Sequence, residues 1–199
     1  MNIPLTLLNP MAYDSVHDQL RSLHRSIKDV PGDGNCLFWA LADLMNADAG
    51  NCINVDHSEL RQLVVLFIKS NSTCYAEDTQ PPTVNDMEEN GTHGGDREIS
   101  AFVAMTGSTV TVINSKGPNY TRRIEPLPDD TRWTQFAPWN KKHVYTHKKE
   151  FIIGNYDNVH FTSSQEDTTS PHVPVWVDFR PPFPGPQQQH RPWSHHHPH

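Results

Sequence analysis

Where apolar residues in this chain are periodic, they recur at helical spacing before about residue 107 and alternate at two-residue spacing after it, which points to helices packed on strands. From Asp14 onward Val16, Leu20, Leu23 and Ile27 fall at i, i+4, i+7 and i+11, one stripe of a helix that Pro31 and Gly32 stop. After a GDGN turn, Leu37, Leu41, Leu44 and Met45 repeat the spacing and put Cys36 at or near a helix N-terminus. Asp56, with Glu59 three residues on, caps a third helix whose inner face is Leu60, Leu63, Val64, Phe67 and Ile68 and which ends near Asn71. Ile99, Phe102 and Val103 predict a short helix closed by Gly107. The run STVTVIN then alternates as a strand with Val110 and Val112 on one face, and EFIIGN and NVHFTS read as two short strands about a turn at Asn155 to Asn158. His160 falls on the last of these, and the expected class is α+β.

Two stretches carry no sustained period. Cys74 to Gly95, with Pro81, Pro82, several acids and Gly91, Gly94 and Gly95, reads as a long surface excursion, and residues 116–150 hold scattered Trp133, Phe136 and Trp139. Beyond Gln165 the composition shifts: eight of the 17 prolines, a QQQ run and a terminal histidine cluster predict a disordered tail over 166–199. Such a tail accounts for an apolar share of only 35% and a mean hydropathy of −0.65. The 199 residues therefore divide into an N-terminal extension at 1–13, one domain at 14–165 and the tail.

A formal net charge of −7 argues against nucleic acid as a partner, since phosphate binding needs a basic patch, and suits a basic partner instead. Cys36, Cys52 and Cys74 stand far apart with no C-x-x-C pair, so neither a zinc site nor a disulfide framework is indicated, and a metal protein built on these cysteines and the terminal histidines is a weak alternative. The start, MNIPLTLLNP, lacks the basic lead and apolar length of a signal peptide, and no run approaches the ~18 apolar residues of a membrane span. A soluble intracellular protein is expected, cytoplasmic or also nuclear, with no membrane partner and no cofactor.

The chemistry concentrates in Pro31 to Phe38, where a cysteine follows two glycines and opens a helix. Unpaired N–H groups and the macrodipole at a helix start favour a thiolate, so the pKa of Cys36 is expected to be lowered. Gly32 and Gly34 permit a tight turn that aims N–H groups inward, the geometry of an oxyanion hole, with Asp33 and Asn35 in support. A buried structural thiol is the ordinary alternative for a lone cysteine, and this context weighs against it. A nucleophilic cysteine also needs a base. Thirteen histidines offer candidates, and His160 stands out because a strand near the end of the domain would aim its ring.

D-G-N-C-L-F at 33–38 resembles the signature of the ovarian-tumour (OTU) deubiquitinases, a family of papain-like cysteine peptidases. His57-Ser58-Glu59-Leu60-Arg61 is similar to the family's H-x-x-L-R, His93-Gly94-Gly95 through Glu98-Ile99-Ser100-Ala101 to its W-G-x-x-E-L-x-A, and Asn158-Val159-His160-Phe161 to its N-H-Y strand, in the same order and spacing. The resemblance implies a small twisted sheet flanked by helices, with Cys36 as nucleophile, His160 as base and Asp33 as the supporting acid. It implies attack on the peptide or isopeptide bond at the C-terminus of ubiquitin, with polyubiquitin chains and ubiquitinated proteins as partners. Gly34, Asn35, Glu98 and Thr162 are the residues it would place in binding or supporting roles. Many members carry Asp or Asn two residues after the histidine, where this chain has Thr162, and the family's tryptophan is His93 here. A hydroxyl orients an imidazolium less strongly than a carboxylate, and Asp33, Asp157 and Asn158 are the polar groups offered in its place. An inactive OTU-like module that binds ubiquitin or recruits partners is the alternative these departures support. The acids Asp86, Glu88, Glu89, Asp96 and Glu98 are read as a solvated face or, more sharply, as partners for arginines in ubiquitin's tail.

Overall fold

The computed structural model describes residues 10–47, 54–75, 81–136, 149–157 and 159–167, all within one of the two units into which the chain divides, Met1–Thr169. The expectations for Cys52, Trp139, Asn158 and the tail beyond Asp167 lie outside the described residues, while Glu166, which composition assigns to the tail, ends a strand and pairs with Arg25.

Helix α1 spans Pro10–Ser22, and its buried stripe is Val16 and Leu20. The helical spacing does not carry on to Ile27. His24 takes a left-handed φ of 55°, which ends the helix, and Arg25–Lys28 form strand β1. Leu23 and Ile27 still pack against the cluster built on Val16 and Leu20, so the apolar stripe was real although its second half is extended.

Helix α2, Cys36–Asn46, is apolar nearly all round, because it lies between other elements: it packs on the sheet along one side and on α3, His57–Ser70, along another. Asp56 caps α3, its carboxylate accepting from the Glu59 N–H at 2.8 Å. The excursion after Cys74 is not wholly superficial: a 3₁₀ turn at Asp86–Glu88 buries Met87 completely beside α3. Helix α4, Asp96–Thr106, ends at Gly107, whose φ of 68° supplies the left-handed cap that the sequence predicts.

Strands β2 (Thr109–Asn114), β3 (Arg122–Ile124), β4 (Glu150–Tyr156) and β5 (His160–Glu166), with a short helix α5 at Arg132–Gln135, complete the described elements. The described strands form one sheet in the order β1-β5-β4-β2-β3, antiparallel except where β2 and β4 run parallel. Two-residue alternation sorts their side chains. Val110, Val112, Phe151, Ile153 and Phe161 face the large core under α2, α3 and α4, while Ile113, Ile152 and Tyr156 face α1. The sheet flanked by helices is thus the α+β arrangement expected. Its placement of β5 against α2 brings the start of β5 to the start of α2, with Phe161, the residue after His160, against Cys36.

Candidate active site

Cys36 opens α2 and is 2% exposed. The Phe161 N–H donates to its Sγ at 3.4 Å, so the residue next to His160 touches the thiol. The loop before it is held rigidly. Gly34 has a φ of 83°, and a Cβ there would stand 1.8 Å from the Gly91 carbonyl oxygen, so two glycine backbones cross in contact. Asn35, 2% exposed, turns its side chain away from the helix: Oδ1 accepts from the Gly91 N–H at 2.9 Å and from Arg61 Nη2 at 2.7 Å. The first turn of α2 consequently has no side-chain cap from its N-cap residue. Asp33 accepts from the Asn35 N–H at 3.0 Å and from the Trp39 indole at 3.4 Å. Burial opposes ionisation of Asp33, but these bonds hold its carboxyl below the usual range.

Arg61 organises the other side of this loop. It is 2% exposed, lies 4.2 Å over the Phe38 ring, and donates to the carbonyls of Gly34, Met87 and Thr92 as well as to Asn35. A guanidinium suits this task because its fork of donors reaches several acceptors at once. Its neighbour on α3, His57, stacks on Trp39 at 3.7 Å, so that histidine braces the nucleophile loop.

His160 begins β5 and is 6% exposed. A Cβ at Gly32 would lie 3.7 Å from its Nδ1 and Cε1, and Nε2 lies 3.8 Å from Asp29 Oδ1. The Nδ1 edge thus faces the nucleophile loop and the Nε2 edge faces Asp29. Burial lowers the pKa of His160, against the pull of Asp29. Cys36 is the reverse of what the helix start predicts. Burial pushes its thiol up, more than the N–H groups of Phe161 and Leu37 push it down, and the Asp33 carboxylate adds to the rise. A thiol sealed at 2% exposure loses more by desolvation of its anion than a helix N-terminus returns.

Beside these residues runs an open groove of about 800 Å³, lined by His93, Gly94, Gly95, Asn114, Lys116, Tyr120, Asn155 and Phe161 among others. Gly94 lies against Leu37 and Phe38, where a Cβ would come within 2.8 Å of Leu37, and Phe161 bonds to the thiol, so two of the groove's lining residues touch the start of α2. A Cβ at Gly95 would meet nothing within 4 Å. Glu98 sits beside the groove but is 3% exposed, accepting from the Gly95 N–H at 2.8 Å and from Arg97 at 2.7 Å, which is the placement of a helix cap. Asp96 pairs with Arg122, Glu88 with Lys69, and Asp86 with Thr83. These acids are therefore already engaged within the chain. Among the described residues no group of three or more His, Cys, Asp or Glu stands close enough to hold a metal ion, and no helix is long and apolar enough to cross a membrane.

Residues 31–149 match the family model described as OTU-like cysteine protease, more than half of the chain. The chain belongs to the OTU family. It is 31% identical over 120 residues to the ovarian tumor domain-containing deubiquitinating enzyme 7 of Arabidopsis thaliana, covering 57% of this chain and 30% of that protein. It is 33% identical over 109 residues to the OTU domain-containing protein 3 of Mus musculus, covering 52% of this chain and 26% of that one. The chain thus spans about a third or less of the length of these relatives. Among solved structures, the OTU domain of OTUD1 superposes with a TM-score of 0.58 at 17% identity, over 81% of this chain and 99% of that one. The fold is therefore an OTU fold.

Against the OTU pattern, two departures acquire a physical setting. Thr162, at the place of the family's Asp or Asn, is fully buried, and its hydroxyl has no hydrogen-bond partner among the described residues. Of the groups offered in its place, Asp33 is tied to Asn35 and Trp39, Asp157 bonds with Ser115 on the far side of the β4–β5 turn, and Asn158 lies outside the described residues. The carboxylate that does stand at His160 is Asp29, which has no motif to mark it and reaches the ring only because β1 lies beside β5. His93 lines the groove in place of the family's tryptophan.

Proposed function

We propose that residues 14–165 form a deubiquitinating thiol peptidase that hydrolyses peptide or isopeptide bonds at the C-terminus of ubiquitin. The observation that carries this reading is the Phe161 N–H on Cys36 Sγ, which sets the strand bearing His160 against the only cysteine that opens a described helix. The relative named a deubiquitinating enzyme supports ubiquitin as the modifier.

In the proposed reaction His160, through Nδ1, takes the thiol proton as Cys36 Sγ attacks the carbonyl carbon of the terminal glycine. Burial raises the thiol and lowers the imidazole, which favours a neutral pair before attack, so the proton would move with the attack. Negative charge then develops on the carbonyl oxygen. Backbone N–H groups between Asp33 and Cys36, other than the Asn35 N–H that Asp33 already takes, would hold it, and the first turn of α2, with no side-chain cap, leaves donors for the purpose. Collapse of the intermediate breaks the C–N bond, and the amine departs with the proton from His160. Water, deprotonated by His160, attacks the thioester and releases ubiquitin with a free carboxylate, returning the proton to Cys36. These steps call on no metal or organic cofactor. The groove along Gly94 and Gly95 would take the extended tail that ends at the scissile glycine.

A binding module without turnover is the second reading, favoured by the unpartnered Thr162 hydroxyl and by an Asp29–His160 separation of 3.8 Å, too long for a hydrogen bond. Hydrolysis of a fluorogenic C-terminal amide of ubiquitin separates the two. Turnover by the wild type and its loss in Cys36→Ala and His160→Ala would support the peptidase. Tight binding of ubiquitin with no turnover would support the module.

A further inference from the structure

We propose that Asp29 is the positioning residue of the His160 imidazole, the carboxylate having moved from β5 to the neighbouring strand. This rests on the peptidase reading for its role in turnover, and on geometry alone for its place.

β1 and β5 pair antiparallel from Arg25↔Glu166 to Lys28↔Ser163. One residue further, that register sets Asp29 opposite Thr162. Directly opposed residues share a face of the sheet, and residues two apart on one strand share it too. Asp29, Thr162 and His160 are thereby brought to one face at the edge of the site. Family members with a carboxylate or amide two residues after the histidine would hold the ring from within β5. In this chain that position is a threonine whose hydroxyl has no partner among the described residues, and its cross-strand neighbour carries the charge.

Two further observations point the same way. His160 Nε2 is buried without a hydrogen-bond partner among the described residues, and the nearest carboxylate oxygen, Asp29 Oδ1, stands 3.8 Å from it. Such catalytic bonds are often long in free enzymes and tighten once substrate is bound. The carboxylate is also oriented for the approach, since the Val30 N–H donates to the same Oδ1 at 2.9 Å. With Nε2–H directed to Asp29, the proton-accepting lone pair falls on Nδ1, the edge that faces the nucleophile loop. The other charged or titratable groups acting on the ring are His93 from the loop before α4 and Asp33 from the loop before α2. Asp33 is committed to Asn35 and Trp39, whereas Asp29 takes only the Val30 N–H among the bonds described and keeps acceptor capacity for the ring.

Asp29 is 58% exposed, so replacing it should leave the fold intact, and this is checked by matched thermal midpoints. In Asp29→Ala, kcat on the fluorogenic ubiquitin amide should fall on the order of tenfold or more, with KM changed less than about twofold. Asp29→Asn, which keeps an acceptor but not the charge, should lie between it and wild type. A second arm needs no assumption about substrate: the rate of Cys36 alkylation by iodoacetamide is followed against pH. Without Asp29 the imidazolium that would accompany the thiolate is less stable, so the Asp29→Ala profile should move to higher pH by about 0.5 unit or more. Superposition of wild type and Asp29→Ala in both arms, or a loss confined to KM, would overturn the proposal. If the wild type does not turn over ubiquitin, the peptidase reading fails, and the alkylation arm alone decides whether Asp29 positions His160.

Discussion

A methyl group at Gly34 would lie 1.8 Å from the Gly91 oxygen, on a residue whose φ of 83° already disfavours any side chain. Gly34→Ala is therefore expected to destabilise the protein by more than about 3 kcal/mol, measured by urea unfolding, because a backbone strain and a backbone clash coincide. At Gly95 there is no such conflict, and Gly95→Ala should change stability by less than about 1 kcal/mol. The methyl would enter the groove, so KM for a ubiquitin substrate should rise while the fold persists; an unchanged KM would remove the groove from the proposed binding path. The thiol gives a third test at this scale. A folded-state pKa raised above the ordinary value means that the native protein holds the Cys36 proton longer than the unfolded chain does. The stability this contributes is complete below the ordinary thiol pKa and is lost as pH rises through the raised one. Alkylation of Cys36 in the free protein should accordingly begin at higher pH than for an unstructured cysteine, and a profile displaced to lower pH would contradict the burial account.

Helix α3 does more than fill the core, since Arg61 ties three carbonyls and the Asn35 amide across two loops. Arg61→Ala would leave those buried acceptors unsatisfied, and a loss of about 3–5 kcal/mol in urea unfolding is expected. Arg61→Lys keeps the charge but not the fork, and should fall between. Such helices were legible in the sequence: α3 through Asp56, Glu59 and a five-residue apolar face, α4 through Gly107, α2 through the apolar run after Cys36. Strand β1 was not, because RSIK is short and Ile27 continues the α1 period; only pairing with β5, a contact across 139 residues at Arg25 and Ser164, makes it extended. The site divides likewise. Cys36, Asp33 and Gly34 are local to one motif, and His160 to one strand, so the sequence could offer them as candidates. Asp29 and the Arg61 acceptors meet through sheet register and loop crossing, which no local pattern encodes.

At the scale of the molecule, the parallel pairing of β2 with β4 sets Asn114 beside Asn155, and both line the groove together with Phe161 of β5. The sequence announced β2, β4 and β5 by their alternation but could not order them, since residues 116–150 carry no sustained period to show the crossover. The tail bears on the same scale. If the residues beyond Thr169 add nothing to the domain, as the composition of the tail predicts, a chain ending there, at the boundary between the two units, should unfold within about 2 °C of the full protein. A lower midpoint would give the tail a structural part. The central claim is that Cys36 is a nucleophile addressed by ubiquitin. Its most direct test is to incubate the full chain and Cys36→Ala with ubiquitin bearing a C-terminal electrophile and to read intact mass. A single covalent adduct on the wild type, absent from a folded Cys36→Ala, is the result predicted; a folded wild type that forms no adduct, or an adduct that persists in Cys36→Ala, would contradict the account.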